Sequence, residues 1–351
     1  LCALLLSTPG AAQERVVSVD DLAQARIVVD FALSPDGNQA LLLVERTDFQ
    51  ENRRPVSLEL VDMATGETRN LLPHRDELGG PLWSPDGTRV SFVAPAVEGE
   101  GRQVFVLPMA GGEARQMTRA PQGVSSYDWA ADGEGLFFTS RAAAPEKEGE
   151  ERHNRSFEVG DHSYLVRSAP RPRHLWYQPL SGGAPEALTD GPESVEGFRV
   201  SPDRRTLALF VRASAESGVR EQSVVRLLDL ETGEVRSVDG QTLTYLRTFS
   251  PDGRYLAVGR NRGVPSGFSP TRILLAPVDG GPTLDLTPDI DRDRDGVEWL
   301  PDGRSMLVTG VDGTRTVMWQ VFVDGSPPVR IALAGMEVLQ KEGTPDGRLV
   351  I

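Results

Sequence analysis

SPDGRYLAVGR (residues 250–260) joins a tight turn to an apolar run. Proline presets φ for the second turn position, aspartate bonds nearby backbone, and glycine accepts positive φ without a Cβ clash. The same unit recurs as SPDGNQALLLV, SPDGTRVSFVA, AADGEGLFFTS, SPDRRTLALFV, LPDGRSMLVTG and TPDGRLVI. Its aspartates are Asp36, Asp86, Asp132, Asp203, Asp252, Asp302 and Asp346, spaced 50, 46, 71, 49, 50 and 44 residues apart. Three residues before them stand Leu33, Trp83, Trp129, Val200, Phe249 and Trp299, with Gly343 as the exception. Apolar residues on both sides of a two-residue turn read as a β-hairpin.

A second turn follows in each unit, at Gly66, Gly112, Gly183, Gly233, Gly281 and Gly325. Strand-like runs such as LELVD (58–62), VFVLP (104–108) and VVRLLDL (224–230) precede it. Two hairpins per unit make four strands, and a period of about 40–50 residues is that of a propeller blade. The expected architecture is all-β: a β-propeller of about seven four-stranded blades, the last one incomplete. No amphipathic helix of useful length is present. Two copies are degenerate: Arg204 replaces glycine, and Ala130-Ala131 replaces Ser-Pro.

A single propeller accounts for nearly all of the 351 residues. The net charge of −14 excludes a nucleic-acid partner, which would require a basic face. The start, LCALLLSTPGAAQERV, reads as the end of a secretory signal peptide over residues 1–13, with the propeller over 14–351. The alternative is a buried first strand. The apolar run is too short to span a bilayer. Cys2, the only cysteine, lies inside this segment, so export to the periplasm or beyond is expected without disulfides. The Asp346 copy runs only to Ile351, and the natural chain is expected to continue.

The 71-residue interval holds an insert in the third blade, residues 141–173. Its first half, AAAPEKEGEERHNR, is charged: a solvated loop, or a rim loop that meets a partner. The stretch FEVGDHSYLVRSAPRPRHLWYQPLSGGAPEALTDG (157–191), the opening repeat (34–72) and LTPDIDRDRDGVEWLPDG (286–303) resemble the propeller of prolyl oligopeptidase-family (S9) serine peptidases. The repeats also resemble those of TolB. The peptidase resemblance implies a C-terminal α/β-hydrolase domain, absent from this chain, with a Ser-Asp-His triad. It implies a propeller that admits short peptides to that domain. The alternatives are a non-catalytic TolB-like periplasmic scaffold for protein partners, and a propeller enzyme acting on a small molecule in its channel.

No catalytic residue carries over. The sequence has no G-x-S-x-G, and Gly123-Val124-Ser125-Ser126-Tyr127 lacks the second glycine. His74, His153, His162 and His174 show no metal-ligand spacing. Glu150 and Glu151 form a pair of the kind that dipeptidyl-peptidase relatives use to hold a substrate amino terminus. Their charged run, EKEGEER, also fits a solvated loop. Asp289, Asp291, Asp293, Asp295 and Gly296 match the first half of a calcium loop, with Asp302 at the twelfth position. Arg292 and Arg294 could neutralise these carboxylates instead, and Asp302 is committed to its turn. No catalytic site, metal or cofactor is assigned.

Overall fold

The structure is a computed structural model. It describes residues 25–75, 77–98, 100–143, 149, 170–215, 223–238, 245–261, 271–288, 290, 294–312, 315–331, 342–343 and 349–350. Six four-stranded antiparallel sheets follow one another along the chain. Blade 1 comprises β1 (Arg26–Leu33), β2 (Gln39–Arg46), β3 (Val56–Asp62) and β4 (Thr68–Arg75). Blade 2 comprises β5 (Gly79–Trp83), β6 (Arg89–Pro95), β7 (Arg102–Pro108) and β8 (Arg115–Gln116). Blade 3 comprises β9 (Ser126–Trp129), β10 (Gly135–Arg141), β11 (Arg173–Pro179) and β12 (Glu186–Ala187). Blade 4 comprises β13 (Ser194–Val200), β14 (Thr206–Arg212), β15 (Val224–Asp229) and β16 (Val235–Ser237). Blade 5 comprises β17 (Tyr245–Phe249), β18 (Tyr255–Asn261), β19 (Thr271–Pro277) and β20 (Leu284–Asp285). Blade 6 comprises β21 (Arg294–Trp299), β22 (Ser305–Asp312), β23 (Arg315–Phe322) and β24 (Val329–Ile331).

Among the described residues the expected count of about seven blades is corrected to six four-stranded blades. Each Pro-Asp-Gly copy marks only the turn between the first two strands of a unit. The seventh copy is flanked by β25 (Glu342–Gly343) and β26 (Leu349–Val350), which among the described residues form a two-stranded ribbon. Asp346 itself lies outside the described residues.

The turns are built alike. In four blades the serine hydroxyl donates to the turn aspartate at 2.6 Å: Ser34–Asp36, Ser84–Asp86, Ser201–Asp203 and Ser250–Asp252. The same hydroxyl accepts from the backbone N–H that opens the next strand, at Gln39, Arg89, Thr206 and Tyr255. The turn glycine takes positive φ, 69° at Gly87 and 73° at Gly253. A second repeated bond closes the outer half of three blades. Thr118, Thr189 and Thr287 accept from the third-strand N–H of Val104, Leu175 and Ile273 at 2.9–3.0 Å.

The core is divided between blades. One buried cluster joins blades 1 and 2 through Leu41, Leu58, Trp83 and Phe92. Four more join each blade to the next, ending with Ile273, Trp299 and Met306 between blades 5 and 6. Both faces of blades 2 to 5, and one face each of blades 1 and 6, are therefore buried by a neighbour, as in repeat architectures stabilised by nearest-neighbour interfaces. First strands meet first strands across these interfaces (β1 with β5, β9 with β13, β13 with β17, β17 with β21), so they form the inner wall. The fourth strands of blades 2 to 6 are two or three residues long and largely exposed, whereas β4 of blade 1 has eight residues. Among the described residues no helix is long and apolar enough to cross a membrane.

Candidate functional site

The inner wall is irregular on one side. The first strands slip register against the second between Val28 and Asp30, Gly79 and Leu82, Val195 and Gly197, Leu246 and Phe249, and Arg294 and Gly296. Such bulges re-aim a side chain that a regular ladder would commit to one face. In β1, β13 and β21 the slip lies in the half of the strand away from the Pro-Asp-Gly turn. That is the side on which the second-to-third-strand connections leave.

Glu196 is the bulged residue of β13, and it gathers charge from two blades. Its Oε2 accepts from Arg212 at 2.6 Å and from Arg173 of blade 3. Its Oε1 accepts from Ser194 at 2.7 Å, and Ser194 Oγ accepts from the Arg173 backbone N–H at 3.1 Å. Burial opposes ionisation of Glu196, but the Arg212 and Ser194 hydrogen bonds and the Arg173 charge outweigh it. The carboxyl stays below its ordinary pKa. Arg173 pairs in register with Arg141, so this node stands where the insert leaves and rejoins its blade. Beside it Arg226 grips Glu193 through both terminal nitrogens.

A second group lies one blade earlier. The Tyr127 hydroxyl donates to the Gly80 carbonyl of β5. Burial pushes its pKa up; the charges of Asp128 and Asp30 push the same way, and Arg102 opposes them. Burial also raises the Asp128 carboxyl, against the Trp129 N–H that its Oδ1 accepts at 2.8 Å and the charges of Arg199 and Arg204. The arrangement brings cations from second and third strands to a phenol and carboxylates on first strands. It can hold a charged or polar ligand, and among the described residues it assembles no nucleophile–base pair.

The residues singled out in the sequence fall elsewhere. Glu150, Glu151, His153, His162, Asp289, Asp291 and Asp293 lie outside the described residues, as do residues 1–13 and Ile351. Asp295 sits on β21 at the bulge, and His74 on β4. His174 is buried on β11, its Nδ1 without a partner. Gly123-Val124-Ser125 runs into β9, with Ser125 N–H bonded to the Thr139 carbonyl at 2.8 Å, so it forms no elbow between strand and helix. Among the described residues no three His, Cys, Asp or Glu side chains gather to hold a metal ion. A cavity of about 640 Å³ opens on the turn side, lined by Arg89, Pro108, Gly112, Arg115, Met117 and Leu180; no first strand lines it. Sequence reasoning missed Arg102, Arg173, Glu196 and Arg212. One signal was available: RQVFVLP (102–108) and RHLWYQP (173–179) align, each with arginine six residues before proline.

No family model matches the chain. Dipeptidyl-peptidase 5 of Porphyromonas endodontalis is 23% identical over 272 residues, which are 71% of this chain and 39% of that protein. The uncomplexed acylaminoacyl peptidase of Pyrococcus horikoshii superposes with a TM-score of 0.68 at 12% identity, over 93% of this chain and 49% of that one. The β-propeller domain of the Trilobed protease of Pyrococcus furiosus superposes at 0.61 and 11% identity, over 88% of this chain and 84% of the domain. The chain spans less than half the length of the dipeptidyl-peptidase and of the acylaminoacyl peptidase. In sequence it is similar to a dipeptidyl-peptidase, in fold it is similar to peptidase propellers, and its own architecture is a β-propeller.

Proposed function

We propose that this propeller belongs to a serine peptidase and controls the access of short peptides to an α/β-hydrolase domain encoded beyond Ile351. The observation that carries the reading is the match over 93% of this chain to 49% of an acylaminoacyl peptidase. The likeness to dipeptidyl-peptidase 5 supports the same class. On this reading the hydrolase domain supplies nucleophile, base and oxyanion hole. The propeller supplies a narrow approach whose rim carries Arg173, Glu196, Arg212, Tyr127 and Arg102. Selection is then steric before it is chemical. The apolar start, within residues 1–13, supports export, and the amino terminus of the secreted product tests that point.

The coding sequence past Ile351 gives the test. The expected result is a further segment of alternating strand and helix pattern carrying G-x-S-x-G. A stop codon after Ile351, or a following segment without that elbow, contradicts the proposal.

A further inference from the structure

Blades 2 and 3 place an arginine at the same point of the repeat. Arg102 opens β7 and Arg173 opens β11, each six residues before the proline that ends the strand. Their surroundings differ in one respect. Arg173 reaches Glu196, seven residues before the turn aspartate of the next blade. In the blade after Arg102 that position is Ser125, which carries no charge. Among the described residues the Arg102 guanidinium has no hydrogen bond and no ion pair, and its Nε is buried without a partner. The two carboxylates that act with it on Tyr127 are turned to their own strands: Asp30 Oδ1 accepts from Phe31 N–H, and Asp128 Oδ1 from Trp129 N–H.

The space around the guanidinium is kept open by glycine. A Cβ on Gly79 of β5 would stand 2.3 Å from Arg102 Nη2. The charged end therefore rests on the inner wall, half-buried, where a neighbouring side chain is absent. An unpaired guanidinium with a desolvated Nε–H calls for an acceptor that brings charge as well as lone pairs. A carboxylate can meet the fork of Nε and Nη with two parallel bonds, which Glu196, taking one terminal nitrogen from each of Arg173 and Arg212, does not do at the next interface.

We propose that Arg102 is a binding residue for the carboxylate of a short peptide, either its C-terminal carboxylate or an acidic side chain. This rests on the peptide-access reading above and names the chemistry it selects. The repeat supplies the internal comparison: the same arginine is neutralised from within the protein at Arg173 and left for a ligand at Arg102.

The test titrates the 351-residue chain with triglycine, triglycine amide, acetyl-Gly-Asp-Gly-amide and acetate. Binding is followed by calorimetry and by the Arg102 Nε–Hε NMR signal. At least one carboxylate-bearing peptide is expected to bind ten-fold or more tightly than triglycine amide, and the pattern names the source of the carboxylate. The preference is expected to vanish in Arg102→Gln, to survive in part in Arg102→Lys, and to weaken in Gly79→Ala, which displaces the guanidinium without removing its charge. Arg254→Gln, in the exposed turn of blade 5, leaves the preference in place. Equal binding of acid and amide by the unmutated chain, or a preference that persists in Arg102→Gln, overturns the inference while the peptide reading stands. Arg102-dependent acetate binding with no binding of any peptide overturns the peptide reading and keeps the carboxylate site.

Discussion

Trp83 Nε1 donates to the Ala32 carbonyl of the preceding blade at 3.2 Å, and Trp299 repeats the bond to Thr248 at 3.3 Å. Both acceptors stand four residues before their own turn aspartate, so the bond recurs at two interfaces, whereas Trp129 at the equivalent position donates to Ser91 Oγ at 2.8 Å. Each tryptophan also fills the core between two blades. Trp83→Phe keeps most of the ring and removes the donor; it should cost about 1–2 kcal/mol. Trp83→Ala should cost about 3–5 kcal/mol. Trp83→Phe and Trp299→Phe lie in different interfaces, and their shifts in urea midpoint should add.

The two departures from the motif face each other. Arg204 holds φ at +63°, where the other blades have glycine, and it donates to the carbonyl of Ala131, which stands where the preceding blade lacks its proline. In regular copies the turn glycine instead lies over that proline; a Cβ on Gly87 would stand 3.7 Å from Pro35. A left-handed arginine carries about 1 kcal/mol of backbone strain, and its exposed contact returns less. Arg204→Gly should stabilise by about 0.5 kcal/mol. Arg204→Ala, which keeps the strain and loses the contact, should destabilise by a similar amount. Urea unfolding of the two variants against the parent decides the sign.

The turn aspartates set the acid limb of stability. The Ser84 hydroxyl, then the Thr88 backbone and side chain, hold Asp86 down at about 2, and Ser34 and Ser201 lower Asp36 and Asp203 in the same way. A carboxyl depressed on folding stabilises above its unfolded pKa of about 4 and loses that contribution as pH falls through the folded value. Stability should therefore drop between about pH 4 and pH 2. Ser84→Ala should move the Asp86 titration, followed by carboxyl NMR, back towards the ordinary range and flatten that part of the profile. An unchanged Asp86 titration in Ser84→Ala would contradict the assignment.

Glu196 lies between two arginines and is itself nearly buried, with 13% of its side chain exposed. Glu196→Gln leaves Arg173 and Arg212 facing each other across a neutral amide and should cost about 1–3 kcal/mol. A double-mutant cycle with Arg173→Gln should return a coupling of about 1 kcal/mol or more. Additive losses would show that the node does not couple the base of the insert to blade 4.

Much of this fold is written in short-range chemistry. Pro, Asp and Gly at residues 251–253 dictate a turn whatever surrounds them, and the apolar residue three places before each aspartate proved to be an inter-blade core position at Trp83, Trp129 and Trp299. The blade count was less legible, because a hairpin signal such as that of Asp346 states two strands and leaves their partners open. The inner wall was hidden for another reason. Arg173, Glu196 and Arg212 are joined by a bulge at Glu196, and a register slip has no signature in a pattern of period two. The bond from Arg204 to the Ala131 carbonyl shows the converse: consecutive copies that depart from a motif can be read as one compensated interface.

Labelling with a fluorophosphonate tests the central claim most directly, using the product expressed from the coding sequence through and past Ile351. The account predicts one modified serine, located by mass spectrometry in the segment after Ile351, with loss of short-peptide hydrolysis on labelling. It also predicts that residues 1–351 alone take up no label and cleave no peptide. A label within residues 1–351, or peptide hydrolysis that survives complete labelling, would contradict it.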